Sequence, residues 1–345
     1  MTMPRQGTPQ RASRLGLYGP FITLAIALAA WSAGWWWLKR EAEHRVDALA
    51  ARELGAGGAF TWKSRTVHGY PFRLDVDFTN VAWREPSGWA LAAPTLKSEA
   101  SAFAPGHWVA YAPDGAILGR PMGGAVRITA KTLRASVSDP ASHPAAFSLE
   151  GIELVFTPAP GASPYFLQSA AELHAHTRAG PSDQGAFLVE LDRAMPAPAS
   201  ALGRIAAGKS VTLIADTIYS HAGAFAGPTW ARAVDAWAAA GGRLEVRRLH
   251  LAASDASFDA KGAGLSASVE GRLDGALNVS LRHGDRMLTA LAQTGAVDPY
   301  AARLASVVLQ AAPAGAPVPD HTTLTFQAGR TTVGPVALGA ATKVY

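Results

Sequence analysis

The chain has 345 residues, 49% hydrophobic and only 17% charged, with 34 glycines and 23 prolines, a composition that can bury a sizeable core and suits many strands joined by turns. It contains no cysteine, which excludes disulfides, thiolate metal sites and cysteine nucleophiles. Three of its 31 basic residues, Arg5, Arg11 and Arg14, precede the first apolar run; the 28 that remain nearly balance 26 acidic ones, so the body lacks the basic stripe that nucleic acid demands.

Residues 1–14 read as a basic tail. From Leu15 to Leu38 no residue is charged, and as a helix these 24 residues span about 36 Å, enough to cross a bilayer. The arginines before the run place the N-terminus in the cytoplasm and the rest beyond an inner membrane, in the periplasm. Trp31, Trp35, Trp36 and Trp37 fall at the outer end, where an indole suits the headgroup region with its N–H in water. Ala27-Leu28-Ala29 resembles a cleavage site, but the run is longer than a signal peptide's apolar segment and continues into tryptophans, so an uncleaved anchor is expected. Residues 39–58 continue as a helical stalk that ends in glycines, with Val46, Leu49, Ala50 and Leu54 as a thin apolar stripe.

From residue 59 onward, a periplasmic β-rich domain is expected to residue 345. Gly69-Tyr70-Pro71 predicts a tight turn before a strand in which Phe72, Leu74, Val76 and Phe78 share one face and Arg73, Asp75, Asp77 and Thr79 the other. That apolar face has two readings. It lines an open groove that takes a greasy ligand, or it packs against a second sheet as ordinary core. Period-two patterns recur at 59–67, 88–103, 107–112, 125–137 and 147–157, a loop at 158–164 marks a possible division into halves, and the vocabulary resumes at 169–180, 185–194, 210–220, 242–254 and 264–283. Helices are predicted after Thr229, whose stripe is Trp230, Ala233, Val234 and Trp237, after Asp285, and from Asp298-Pro299 to near Pro313. The fold class is therefore α+β, dominated by an antiparallel, curved sheet, groove-like or sandwich-like, with a few covering helices in the C-terminal half.

Phosphate-binding, nucleophile-elbow and zincin motifs are absent. His174 and His176 share a strand face with Glu172, an arrangement able to hold Zn²⁺ but more often a pair of solvated side chains. Asp75 and Asp77, with Arg73 beside them, read as a charged outer face rather than an acid–base pair, and His68 as a turn residue. No catalytic residue, metal or cofactor is expected.

The anchor, the charged stalk, "HGYPFRLDVDFTNV" and, far downstream, "WARAVDAWAAAGGRLEVRRLHL" running into "SASVEGRLDGALNVSL" together resemble an uncharacterised family of alphaproteobacterial envelope proteins, a domain of unknown function that covers nearly the whole chain. The family is distantly similar to AsmA-like envelope proteins, whose membrane anchor carries an elongated curved sheet with an apolar interior. The resemblance implies an inner-membrane protein that handles an apolar ligand, lipid above all, in envelope homeostasis; it carries over no catalytic residue. The alternative is an assembly or regulatory factor with a filled core that binds an envelope protein partner.

Overall fold

The computed structural model describes residues 15–139, 142–227, 229–310 and 322–344; the basic tail and the expected end of the last helix, residues 311–313, lie outside these. The uncharged run and the stalk form one unbroken helix, α1 (Leu15–Gly55). It is long and apolar enough to cross a membrane, and Phe21, Ile22, Leu24, Ile26 and Leu28 are all more than half exposed along it. Gly57, at φ 84°, and Gly58 end it, the Gly58 N–H donating to the Glu53 carbonyl at 2.9 Å, a close of the kind that glycine permits. The stalk turns Leu38, Ala42 and Val46 to the body, side chains stacked four residues apart. Leu49 and Leu54, expected in that stripe, remain exposed. Beyond Val46 the helix is held by polar contacts instead, Arg65 on Asp47 at 2.7 Å and the Trp83 indole on Glu53 at 3.0 Å.

Among the described residues eighteen strands form a single sheet in which every pairing between strands is antiparallel. The first nine are β1 (Ala59–Thr61), β2 (Ser64–His68), β3 (Arg73–Arg84), β4 (Ala90–Ser101), β5 (Ala104–Tyr111), β6 (Ala116–Arg120), β7 (Gly124–Thr129), β8 (Thr132–Ser138) and β9 (Ala146–Pro158). Here three ranks are broken strands: β1 and β2 share β3, β5 and β6 share β4, and β7 and β8 share β9. From β9 the chain is a plain meander through β10 (Leu167–Ala179), β11 (Gln184–Pro196), β12 (Val211–Ser220), β13 (Leu244–Ala253), β14 (Ala256–Ala267), β15 (Leu273–Arg282), β16 (Thr322–Gln327), β17 (Arg330–Val333) and β18 (Val336–Ala340). The loop at 158–164 does not interrupt the sheet, because β9 and β10 pair across it from Ser169↔Val155 to Thr177↔Phe147.

Four helices, α2 (Ala201–Ala206), α3 (Trp230–Ala239), α4 (Gly284–Gln293) and α5 (Pro299–Gln310), interrupt the C-terminal half. Thr229 caps α3 by accepting from the Arg232 N–H, and the Asp298 carboxylate accepts from Tyr300 and Ala301 at 2.9 Å, as their positions in sequence predict. Asp285 is not a cap: α4 starts after His283, in the left-handed region at φ 54°, which leaves Asp285 in the first turn. On α3 the buried stripe is Ala233, Val234 and Trp237, while Trp230 is half exposed. α2 and α4 pack Ile205, Ala206, Met287 and Ala290 onto Leu154, Leu191, Val211 and Ala253, and α4 and α5 close over Val333 and Leu338.

Candidate binding surface

Residues directly opposite each other in an antiparallel ladder project to the same face, so the registers can be followed from strand to strand. Val76 lies opposite Ser98, Ser98 opposite Ala110, and the line continues through Ala135, Leu149, Ala175, Val189 and Ala215 to Leu249. Eight interstrand steps at roughly 4.8 Å make this row about 38 Å long. One turn of the pleat away runs a second row, Leu74, Ala100, Trp108, Val137, Phe147, Thr177, Phe187, Thr217 and Val246. Val76 is buried, but every other member of the first row is only half-buried. Alternation alone cannot distinguish this from a sandwich; the burial does, since an apolar face covered by a second sheet would be closed to solvent.

The reverse face is polar. Asp77, Lys97, Tyr111, Arg134, Glu150, His174 and Glu190 lie opposite one another there in the same way, and Arg134 forms an ion pair with Glu150. His174 and His176 sit on this face of β10. His174 meets Glu172 at 3.5 Å and His176 bonds the Ser148 hydroxyl across the ladder at 2.9 Å. Among the described residues no three His, Asp or Glu side chains converge as a metal site would require. Asp75, expected with Asp77 on an open charged face, is 5% exposed; the turn at residues 69–72 folds over it, and Arg73 binds it at 2.9 Å. His68 bridges the two carboxylates, 3.5 Å from Asp75 and 3.2 Å from Asp77.

At the anchor end, Leu74, Val76 and Phe78 do share a face, and they pack against α1 through Trp35 and Ala42. Between the stalk and this face opens a cleft of about 430 Å³, lined by Leu38, Val46, Leu74, Val76, Phe78 and Trp108 among others. Phe72 is a correction. It lies in the turn before β3, 62% exposed, stacked on Phe103 at 6.3 Å, because the Gly69 turn delays the strand until Arg73 and leaves the ring outside the ladder. Gly69 has φ 102°, and a Cβ there would stand 2.8 Å from the Arg73 carbonyl oxygen. Gly69→Ala is therefore expected to destabilise the body by more than about 1 kcal/mol, measured by urea titration of the full chain in micelles; an unchanged midpoint would show that the turn tolerates a side chain.

The tryptophans divide by direction. Trp31 and Trp35 face the body and give their indole N–H groups to the carbonyls of Pro71 and Arg73, at 3.0 and 2.8 Å, and not to water as their position suggested. Trp36 and Trp37 remain exposed, Trp36 beneath the charges of Lys39 and Arg40.

At the far end of the apolar rows, α3 roofs a second pocket of about 460 Å³ whose lining is almost wholly apolar: Phe187, Ala215, Tyr219, Phe225, Trp237 and Leu265 are in it. Such a volume is that of a small-molecule site, about 300 to 1,000 Å³. Burial pushes the Tyr219 phenol up from its ordinary pKa, which disfavours the charged form in this lining. Trp237 is fixed by a 2.7 Å bond from its indole to the Ser220 carbonyl and fits only because residue 242 is glycine, where a Cβ would meet the ring at 2.3 Å. With α2 and α4 covering the Leu191–Leu213 side and α3 the Phe187–Thr217 side, the row Ala175, Val189, Ala215 and Leu249 is the floor left open between them. The sequence singled out the strands that carry these residues but not the residues, because the signal that identifies them is a register between strands.

A family model described as an uncharacterised protein conserved in bacteria, DUF2125, matches residues 35–342. No curated protein and no solved structure matches the chain.

Proposed function

The chain belongs to DUF2125, a family of uncharacterised proteins conserved in bacteria, and since that membership brings no activity with it, we propose from the apolar face that this is a lipid-handling protein anchored in the inner membrane. Its α1 helix crosses the bilayer once, with Arg5, Arg11 and Arg14 on the cytoplasmic side, and the sheet stands in the periplasm. The apolar rows hold acyl chains, and the polar reverse face meets water. One observation carries the reading: a half-buried, largely apolar row joins the cleft at the membrane anchor to the pocket under α3. An isolated exposed leucine means little, but a largely apolar strip between two clefts is costly to leave in water and calls for an occupant. The AsmA-like resemblance belongs to this proposal and points the same way.

Val189 tests it. It is half-buried in the part of the row left open between the helices, so a glutamate there reaches water while placing a charge in the path of an acyl chain. Val189→Glu, purified as the full chain in detergent, is expected to melt as the parent does and to lose the phospholipid that native mass spectrometry finds on the parent. Phospholipid retained at the parent's level would refute the reading. Its absence from both proteins, with a protein partner captured on the same face, would favour the assembly-factor alternative.

A further inference from the structure

We propose that two turns beside α1, residues 69–72 and 101–104, dip into the outer surface of the membrane that α1 crosses, so that the body touches the bilayer with its own aromatic residues. The proposal requires α1 to span the bilayer but not that the sheet bind lipid.

The depth follows from helix geometry. The apolar run begins at Leu15, and a hydrocarbon core of about 30 Å consumes about 20 helical residues, which brings its outer boundary to the level of Gly34. Both turns are fastened below that level. The Tyr70 hydroxyl bonds the Ser32 hydroxyl at 2.8 Å, the Trp31 indole donates to Pro71, and the Phe103 ring stacks on Trp31 at 5.0 Å. Lys39, the first charge after the run, stands about 10 Å further out along the helix than Ser32.

The side chains at this depth are those a bilayer surface accepts. Tyr70, Phe72 and Phe103 are 52%, 62% and 70% exposed, and Tyr70 and Phe103 lie against Trp35 and Trp31 of α1. In water three adjacent exposed aromatic rings would be an unexplained cost; at the headgroup boundary they are anchors.

The backbone makes the second, independent argument. Irregular backbone at membrane depth must find its hydrogen bonds within the protein, and four carbonyls at this junction do so. The Gly69 carbonyl accepts from Arg73 N–H, Phe72 from Ala102 N–H, and Pro71 and Arg73 from the two indoles of α1. Pro71 has no N–H to satisfy, and the Phe103 N–H donates to the Ser101 hydroxyl at 3.2 Å. An ordinary surface turn would leave such groups to water.

Because the chain has no cysteine, single labels are simple to place. The full-length protein is reconstituted in phosphatidylethanolamine–phosphatidylglycerol vesicles, labelled with an environment-sensitive fluorophore at Phe103→Cys, Phe72→Cys, Leu24→Cys within the span, or Met122→Cys in the distant and fully exposed β6–β7 turn. Lipids carrying a nitroxide high on the acyl chain are expected to extinguish most of the fluorescence at residues 103, 72 and 24, and to leave residue 122 at background. Iodide in the water is expected to quench only residue 122. Labels at 72 and 103 that behave like 122, while 24 is quenched by lipid, would overturn the proposal and leave the anchor standing. A label at 24 that lipid does not quench would overturn both.

Discussion

Val76→Asp is expected to abolish cooperative folding of the body. Val76 is 2% exposed, flanked on its face by Leu74 and Phe78, and covered by Trp35 and Ala42 of α1. Aspartate in its place is an unpaired carboxylate held from water, at a cost of several kcal/mol, against a total stability of about 5 to 15 kcal/mol for a typical domain. From the helix side the cleft wall offers Leu38, Ala42 and Val46, and Arg45, which also lines that cleft, is engaged with Glu41 at 2.7 Å. The measurement is thermal and urea unfolding of the full chain in micelles. A variant that melts cooperatively within a few degrees of the parent would mean that the helix swings away and Val76 reaches solvent. The contrast with Val189→Glu is deliberate: the two valines lie in one interstrand row, one covered by α1 and the other uncovered, so a charge is expected to unfold the first and only empty the second.

The same row shows how far the sequence could be read. The long apolar helix, the dominance of strands, the caps at Thr229 and Asp298 and the shared face of Leu74, Val76 and Phe78 all follow from local rules of period and capping, and the structure contains them. Phe72 continues the same alternation but falls outside the strand, because period two does not reveal where a turn hands over to a ladder. α2, six residues long, is too short to show a helical period, and β17 and β18 are short strands of mixed polarity. The surface itself was out of reach for a different reason. Val76 and Leu249 are 173 positions apart, and what joins them is a chain of registers, each fixed by hydrophobic pattern and turn geometry between neighbouring strands. A single sequence displays each strand's faces but not which face of one strand continues which face of the next. Asp75 failed for a related reason, since its burial comes from a turn folding over it.

Trp35→Ala is expected to cost about 3 to 5 kcal/mol, the usual loss on truncating a buried aromatic residue, and it tests how α1 is joined to the sheet. Trp35 is 7% exposed, meets the Tyr70 ring edge-on at 5.5 Å, and gives its indole N–H to the Arg73 carbonyl at 2.8 Å. Trp35→Phe separates the two contributions. It keeps most of the packing and loses the donor, so it is expected to cost about 1 to 3 kcal/mol, the penalty for an orphaned buried carbonyl. Trp36→Ala, one residue along but more than half exposed, is expected to stay within about 0.5 kcal/mol of the parent. Urea titration of the full chain in micelles orders the three; a Trp35→Ala midpoint equal to that of Trp36→Ala would show that the junction carries no stability. If the order holds, the reason lies in the position of the junction. Between α1 and the sheet, the backbone at the turn before β3 has little water to bond with, and tryptophan is the side chain that fills an apolar gap and still presents an N–H at its far edge. Two of them, Trp31 and Trp35, are spaced four residues apart on one side of the helix, and each donates its indole N–H to one carbonyl there, of Pro71 and of Arg73.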